Sequence, residues 1–518
     1  MGMNCKRLIV ALCLTLGMGR TIASAQTDMT SRMVNPSFEQ NLDGWENNGM
    51  QAQSNSAFKL KVGSKYCEKW TGRNGKVGDA SIQQVMKGLP AGTYTVSVVA
   101  QNIQEDTPET VQTGVYLKAN EAETEINVAA AYSVSTTICD GELTAAFIIN
   151  GATGNYVTVD NFQLMQEKPT TDTYTVIHSQ LQALLDEADK VNLKTLDTSE
   201  QRELDAAIAA VKALLTQDTT EGVMEAACRL KEATYDYRLS IANDSESINM
   251  TSLITNPSFE KGLDGWENDG MYSQGNDAFK LKAGSKYCEK WTGRGGKVSD
   301  ATISQCVTMP NGKYVLTAAA QNIQEDTPNM ELTGAYLFAD DYEVNVGTRK
   351  VYSLTFYAIE GQANIGFKLR KAQGNWDCVD NFTLTYHGRS DAMLLQALQT
   401  RIGKAEKLGE KHMKVSVLDA LNAAIAQART FTTADGMEQT AVALRECMEE
   451  AQASIETYAL LKTAIDEIEP CYDGGKEGAE EFHAAIEKAK SCYEDRKSTN
   501  DEVKAEEEAL HKAMFLFR

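Results

Sequence analysis

The chain has 518 residues, with 72 acids against 50 bases and a formal net charge of −22 at pH 7. A chain of this length has room for about three to five domains. The charge balance excludes nucleic-acid binding by a basic surface, since no basic stripe is visible, and acidity of this kind keeps a protein soluble.

Residues 1–25 read as a signal peptide. Lys6-Arg7 is the positive start, Leu8 to Met18 a short apolar run, and Ala23-Ser24-Ala25 a small-residue cleavage site. The run is too short to span a bilayer. Cys5 and Cys13 lie inside the signal peptide, too early for a lipid-attachment site at a mature N-terminus. The expectation is export without a lipid anchor, to the periplasm, the cell surface or the medium, after cleavage near Ala25. No later stretch is long enough to span a membrane.

Residues 34–166 read as β structure, and they occur twice. Asn35 to Gln84 recurs, most positions identical, as Asn256 to Gln305. The likeness continues, with a one-residue gap, through Asp160-Asn161-Phe162 and Asp380-Asn381-Phe382. A unit of this size can bury its own core, so it is a domain and not a solenoid repeat. The alternation of Tyr94, Val96 and Val98 with Thr95 and Ser97 predicts a half-buried strand. Pro90-Ala-Gly92 and Pro310-Asn-Gly312 supply turns before the matching strands. Many short strands with Gly and Asn turns predict an antiparallel sandwich at 34–166 and again at 255–387.

Between and after the copies the period changes to that of helices. Leu204, Ala207, Ile208, Val211, Leu214 and Leu215 recur at helical spacing. Thr198 with Gln201, Asp218 with Glu221, and Thr499 with Glu502 have capping-box spacing. Three-helix bundles are expected at 174–241, 391–456 and 457–518, so that the predicted architecture is two β-sandwich domains alternating with three-helix bundles. The first helical section ends Ala233-Thr-Tyr-Asp-Tyr-Arg238 and the chain ends Ala513-Met-Phe-Leu-Phe-Arg518. That match leaves open whether the chain is one section of a longer architecture.

The opening Asn-Pro-Ser-Phe-Glu, the Gly-Trp soon after, the strand introduced by Leu-Pro-Ala-Gly-Thr-Tyr and the closing Val-Asp-Asn-Phe-x-Leu resemble galactose-binding-domain-like jelly rolls. Carbohydrate-binding modules of the family 4/9/22 kind share these signals, and the resemblance covers 34–166 and 255–387. The helical sections are similar to FIVAR-like three-helix modules. Together with the signal peptide they resemble a Bacteroidetes-type exported glycan protein. The resemblance implies a non-catalytic glycan binder whose partner is a polysaccharide or cell-surface glycan and which needs no cofactor.

Sugar recognition needs aromatic faces for pyranose C–H patches and amides or carboxylates for hydroxyls. Tyr66, Glu68 and Trp70 share one parity, as do Tyr287, Glu289 and Trp291. They are either a ligand face or core, which parity alone does not decide. The run Gln101 to Pro108 recurs unchanged as Gln321 to Pro328. Gln101 and Tyr116, with Gln321 and Tyr336, are the second set of candidate ligand residues, although copies from a young duplication look alike everywhere. Glu39 with Asp160, and Glu260 with Asp380, stand at the two ends of each unit. Jelly rolls of this kind often hold a structural calcium there, for which carboxylates are suitable ligands. The alternative role for these carboxylates is to cap backbone amides in a turn.

Two further function classes stay open. A glycoside hydrolase needs two carboxylates across a cleft, and Glu68, Asp79, Glu105 and Asp106 are available, but no nucleophile motif or metal signature accompanies them. The chain could then be the accessory region of a larger hydrolase. A structural or adhesin protein would use the sandwiches to bind protein. Of the cysteines outside the signal peptide, an odd number, only Cys67 and Cys288 match between copies, so no disulfide framework recurs.

Overall fold

The computed structural model describes residues 26–73, 75–192, 198–434 and 436–517, and the expected signal peptide lies outside them. The chain divides into two compact units, Met1–Arg238 and Leu239–Arg518.

In the first unit the strands are β1 (Thr27–Asp28), β2 (Glu46–Asn48), β3 (Gln51–Gln53), β4 (Tyr66–Trp70), β5 (Ala80–Met86), β6 (Gly92–Ile103), β7 (Val115–Ala119), β8 (Ala122–Glu125), β9 (Ala130–Ile138), β10 (Leu143–Ile149) and β11 (Tyr156–Gln166). One antiparallel sheet runs β3-β4-β11-β6-β9 with β1 added on β11, and the other runs β2-β5-β10-β7-β8. The expected alternation is met: Tyr94, Val96, Val98 and Ala100 point inward from β6 and join Ile82, Leu117 and Phe147 of the facing sheet in one core.

The second unit repeats this arrangement. Its strands are β12 (Ile248–Asn249), β13 (Glu267–Asp269), β14 (Tyr272–Gln274), β15 (Tyr287–Trp291), β16 (Ala301–Thr308), β17 (Gly312–Ile323), β18 (Ala335–Ala339), β19 (Tyr342–Val346), β20 (Lys350–Ala358), β21 (Gln362–Leu369) and β22 (Trp376–Tyr386). They form sheets ordered β14-β15-β22-β17-β20, with β12 on β22, and β13-β16-β21-β18-β19.

The motifs that are scattered along the sequence meet in space. Phe38 and Trp45 lie 5.3 Å apart between ring centroids, and Trp45 and Phe162 4.6 Å apart. The Trp45 indole N–H donates to the Asn35 carbonyl at 3.1 Å, and the Phe162 amide donates to the Pro36 carbonyl at 2.9 Å. Asn161, at φ +54°, makes the left-handed step at the bulge in β11 that turns Phe162 inward. Phe259, Trp266, Asn381 and Phe382 repeat the junction. Asn-Pro-Ser-Phe, Gly-Trp and Asp-Asn-Phe are therefore one structural knot.

Three helices follow the first sandwich, α1 (Thr171–Val191), α2 (Ser199–Leu214) and α3 (Val223–Ile241). Five follow the second, α4 (Asp391–Gly409), α5 (Val415–Ala428), α6 (Glu438–Ile468), α7 (Ala479–Asp495) and α8 (Asn500–Leu516). The Thr198 side chain caps α2 by accepting from the Gln201 amide, and Thr499 with Glu502 forms a full capping box at α8. The Asp218–Glu221 spacing does not start a helix: Thr219 accepts from the Glu221 amide in a turn, and α3 begins at Val223.

One expected boundary is corrected. The division at 456/457 falls inside α6, a single helix of 31 residues. No breaker occurs before Pro470, and the apolar stripe continues from Leu444 and Ala451 to Tyr458, Leu461 and Ile465. The front of α6 packs with α4 and α5, and its rear with α7 and α8, so one helix serves both helical sets.

Each sandwich is tied to the helices after it. In the first unit Thr93 and Thr173 hydroxyls lie 3.0 Å apart, and Lys231 pairs with Asp140 at 2.9 Å. In the second, Glu360 lies at the position of Asp140 and is buried between Arg401 and Arg445 of α4 and α6. A buried carboxylate of this kind is costly to hold unless paired, and here two guanidinium groups pair it.

Candidate functional site

The outer face of the six-stranded sheet carries the first set of candidate residues. Cys67 points into the core of the first sandwich, so Tyr66, Glu68 and Trp70 point outward. Register places Glu68 beside Thr158 and Thr158 beside Gln101, while Trp70 lies beside Tyr156 and Tyr156 beside Ile103.

Tyr66 and Trp70 separate into different roles. Tyr66 has no exposed surface, whereas Trp70 is 56% exposed. Phe58, from the loop before β4, covers Tyr66 with ring centroids 5.5 Å apart. The Tyr66 hydroxyl lies 2.9 Å from the Tyr156 hydroxyl and within donating reach of two acceptors, Asn55 Oδ1 at 2.7 Å and Glu68 Oε2 at 3.0 Å, which share its one proton. Burial pushes the Tyr66 phenol up to about 12, which keeps it protonated and a donor. Gln53 donates to the other Glu68 oxygen at 3.3 Å. This is a satisfied polar network under the surface.

Trp70 stands at the rim of that network with its ring toward solvent. Its indole N–H donates to Glu105 Oε2 at 2.9 Å. The same Glu105 oxygen accepts from Asn155 Nδ2, and the Glu105 amide donates to Asn155 Oδ1. Gln104 donates to the Gly75 and Thr153 carbonyls and pins the start of the loop. The unchanged run beginning at Gln101 therefore orients the tryptophan. With the indole donor satisfied, what remains for a ligand is an open aromatic face.

The second copy preserves this geometry. Trp291 is 52% exposed and donates to Glu325 Oε2 at 3.0 Å. Tyr287 is buried, with its hydroxyl within donating reach of Asn276 Oδ1 at 2.9 Å and Glu289 Oε2 at 3.1 Å. Trp376 replaces Tyr156 and donates its indole N–H to Glu289 at 2.9 Å.

The second set of candidates divides. Gln101 and Gln321 are buried on the same outer face, at 5% and 0% exposure, beneath the surface a ligand would meet. Tyr116 and Tyr336 lie on β7 and β18, in the five-stranded sheets. The expected surface uniting Gln101 with Tyr116 is thus not formed, because a β-crossover carries the chain to the other sheet between them. Arg370 covers the Tyr336 ring at 5.0 Å.

The carboxylates expected to ligate calcium serve backbone amides instead. Glu39 accepts from the Ser64 and Lys65 amides and the Ser64 hydroxyl, and the Ser64 hydroxyl bond leads in holding it below its usual range. Asp160 has no exposed surface and accepts from the Val62 and Asn161 amides at 2.7 Å; burial pushes it up to about 7. Asp380 matches it, also near 7 through burial. Burial opposes ionisation at Glu260, but bonds from Ser285 and Lys286 outweigh it. These N–H groups use part of the lone-pair capacity of each carboxylate and hold it as a turn cap, the alternative role given to these residues. Among the described residues no group of three His, Cys, Asp or Glu could hold a metal ion.

The residues that sequence reasoning missed are partners on other strands: Tyr156 or Trp376, and Asn155 or Asn375. Only the register of β11 and β22 brings them beside Trp70 and Trp291. A cavity of about 730 Å³ lies elsewhere in the second unit, lined by Cys306, Asp340, Glu360 and Lys368 of the sandwich and by Arg445 and Glu449 of α6. It borders the Glu360 ion cluster on the five-stranded sheet, away from Trp291.

No protein-family model matches the chain, and no curated protein matches it. Among solved structures, TmCBM61 in complex with beta-1,4-galactotriose is similar at 18% identity, covering 26% of this chain and 96% of that one, with a TM-score of 0.21. The N-terminal CBM22-1-CBM22-2 tandem domain from Paenibacillus barcinonensis Xyn10C is similar at 8% identity over 71% of this chain and all of that one (100%), with a TM-score of 0.21. A cyclase from Fischerella sp. TAU is similar at 16% identity over 28% of this chain and 100% of that one, with a TM-score of 0.23. At such scores neither fold nor ligand is carried over. Among the described residues no helix is long and apolar enough to cross a membrane.

Proposed function

We propose that this is an exported, non-catalytic glycan-binding protein with two jelly-roll sandwiches spaced by helical bundles of the FIVAR-like kind. The observation that carries the reading is the pair of exposed indole faces, Trp70 and Trp291, each fixed by an N–H bond to a carboxylate of the repeated loop. A pyranose ring stacks on such a face through its C–H patches, while neighbouring amides and carboxylates take its hydroxyls. Recognition on one indole is weak. Two sites on one chain raise apparent affinity for a polymer by effective concentration, by about 10²–10⁴ where both engage.

The acids considered for hydrolysis are committed to other partners. Glu68 is bonded to Tyr66 and Gln53, Glu105 to Trp70, Asp79 to the Gly151 amide, and Asp106 to Arg73. That favours binding over hydrolysis and leaves the accessory-region reading as the nearest alternative. The test is retention of the intact protein on immobilised polysaccharides. The Trp70→Ala, Trp291→Ala double variant should lose retention while keeping its circular dichroism spectrum. Equal retention of variant and wild type would overturn the proposal, and release of reducing sugar, abolished by one carboxylate substitution, would overturn its non-catalytic part.

A further inference from the structure

The two outer faces share the Tyr-x-Glu-x-Trp strand, differ beneath it where Trp376 and Cys378 stand for Tyr156 and Thr158, and differ again at their perimeter. Tyr272, beside Glu289, is 54% exposed where the first copy has Gln51 beside Glu68. Val351, beside Ala319, is 62% exposed where the first copy has Ala131 beside Val99. Arg349, next to Lys350 at the start of β20, stands where the first copy has Ala129 next to Ala130 at the start of β9. Changes at exposed positions alter what the face meets more than how the sandwich folds.

Arg349 adds a charge. Its Nε donates to Gln321 Oε1 at 2.8 Å, which fixes the guanidinium plane and leaves the two terminal nitrogens. Gln321 is held from the other side by its bond to Cys378 Sγ. Arg349 makes no ion pair with a described residue, although the chain has 72 acids. By contrast, Arg370, Arg401 and Arg445 of the same unit each pair with carboxylates. A half-buried arginine oriented by one neutral bond and lacking a counter-ion is preorganised for an external anion, and its planar fork suits a carboxylate or sulfate.

We propose that the second sandwich takes an anionic saccharide, with a carboxylate or sulfate on Arg349 and a neighbouring ring on Trp291, and that the first sandwich takes a neutral one. The inference rests on the reading of these faces as sugar-binding. β15 and β20 are separated by three strand spacings across the sheet, about 14 Å. A saccharide laid across the strands would thus touch the tryptophan and the arginine with different residues. The net charge of −22 opposes non-specific uptake of an acidic polymer, so retention of one would report a site.

The test uses the intact protein in a Trp70→Ala background, where only the second platform remains, with polygalacturonate, a sulfated galactan and a neutral galactan as probes. Affinity for a uronate or a sulfated polymer should exceed that for the neutral one, and the polymer that binds identifies the anion. Arg349→Gln should weaken the acidic interaction by about ten- to a hundredfold and collapse the acidic-to-neutral ratio. Arg349→Lys, which keeps the charge, should retain part of it and guards against loss through misfolding. Unchanged acidic affinity in Arg349→Gln, or no preference for either acidic polymer, overturns the inference and leaves tryptophan-dependent neutral binding standing. Retention of no polymer by any form removes the binding reading as well.

Discussion

Replacing Asp377 by Val should stabilise the second unit. Asp377 has no exposed surface, and neither of its carboxyl oxygens has a hydrogen-bond partner among the described residues. Register pairs it with Asn322 and Lys290, and the same register in the first copy pairs Val157 with Asn102 and Lys69. Val157 is fully buried in the first core, so the site accepts a valine. Removing an unbonded buried polar group recovers about 1–3 kcal/mol, and burying a valine side chain is worth about 1.5–3 kcal/mol. With incomplete relaxation, a net gain of about 2–4 kcal/mol is expected, several degrees in the unfolding midpoint of the second unit. The pH dependence sharpens the test. Burial holds Asp377 well above the usual carboxylate range, while the unfolded chain releases that proton near pH 4. The contribution of Asp377 to wild-type stability is therefore greatest below about pH 4 and declines as pH rises toward the folded pKa, by up to about 1.4 kcal/mol per pH unit. The variant lacks this decline. Asp380, pushed to about 7 by burial, adds its own decline to both proteins, so the difference between them isolates Asp377. Calorimetry of the intact protein from pH 4 to 8 measures it. A variant no more stable than wild type, with a gap that does not widen with pH, would refute the reasoning. It would mean that the protonated carboxyl bonds Asn322 Oδ1, the unpartnered atom on the adjacent strand.

The two tryptophans of the first sandwich should behave oppositely. Trp45→Ala opens the junction with Phe38 and Phe162 and should cost about 3–5 kcal/mol in denaturant unfolding, whereas Trp70→Ala should cost about 1 kcal/mol or less. Glu105→Ala frees the Trp70 indole, so tryptophan anisotropy should fall and saccharide affinity weaken, with the unfolding midpoint little moved. Glu39→Gln should speed hydrogen exchange at the Ser64 and Lys65 amides. In wild type the depressed Glu39 pKa means that this protection is present above about pH 4 and is lost as pH falls through the folded value. Calcium or a chelator should leave the unfolding midpoint in place, because the amides already occupy Glu39 and Asp160.

The sheets were legible because period-2 alternation is strict where one face is buried, as from Tyr94 to Val98. The duplication marked both units. Trp70 was legible as a candidate but not as a surface residue, since Tyr66 and Trp70 share parity and both occur in cores. What separates them is the loop carrying Phe58, which covers Tyr66 and stops short of Trp70. Gln101 was misplaced for the opposite reason: it does point away from the core, but beside Thr158 on that outer face it is buried all the same. Tyr116 was grouped with it because parity says nothing about which sheet a strand joins. The 456/457 boundary divided a continuous helical pattern into two bundle-sized sets, while the chain itself has no breaker until Pro470. Asp377 and Arg349 carry no sequence signal alone and stand out only when register sets them against Val157 and Ala129.

The exposed indole also bears on the choice between a glycan and a protein ligand. Tryptophan is a common protein-interface anchor, but an anchor works at the centre of a dry patch surrounded by apolar contacts. A stable protein interface also needs about 1,200–2,000 Å² of total buried surface. Trp70 is bonded to exposed Glu105, whose neighbour Asp106 pairs with Arg73 at 3.5 Å in solvent, and exposed Gln51 lies beside Glu68 on the same sheet. Desolvating those groups against a protein would cost more than one half-open ring returns. A sugar matches the surroundings better: its C–H face needs only the ring, and its hydroxyls replace the water that these side chains would lose. The small contact that makes Trp70 a poor protein anchor is the size of one pyranose, and the weakness of such a contact is what a second copy on the same chain offsets.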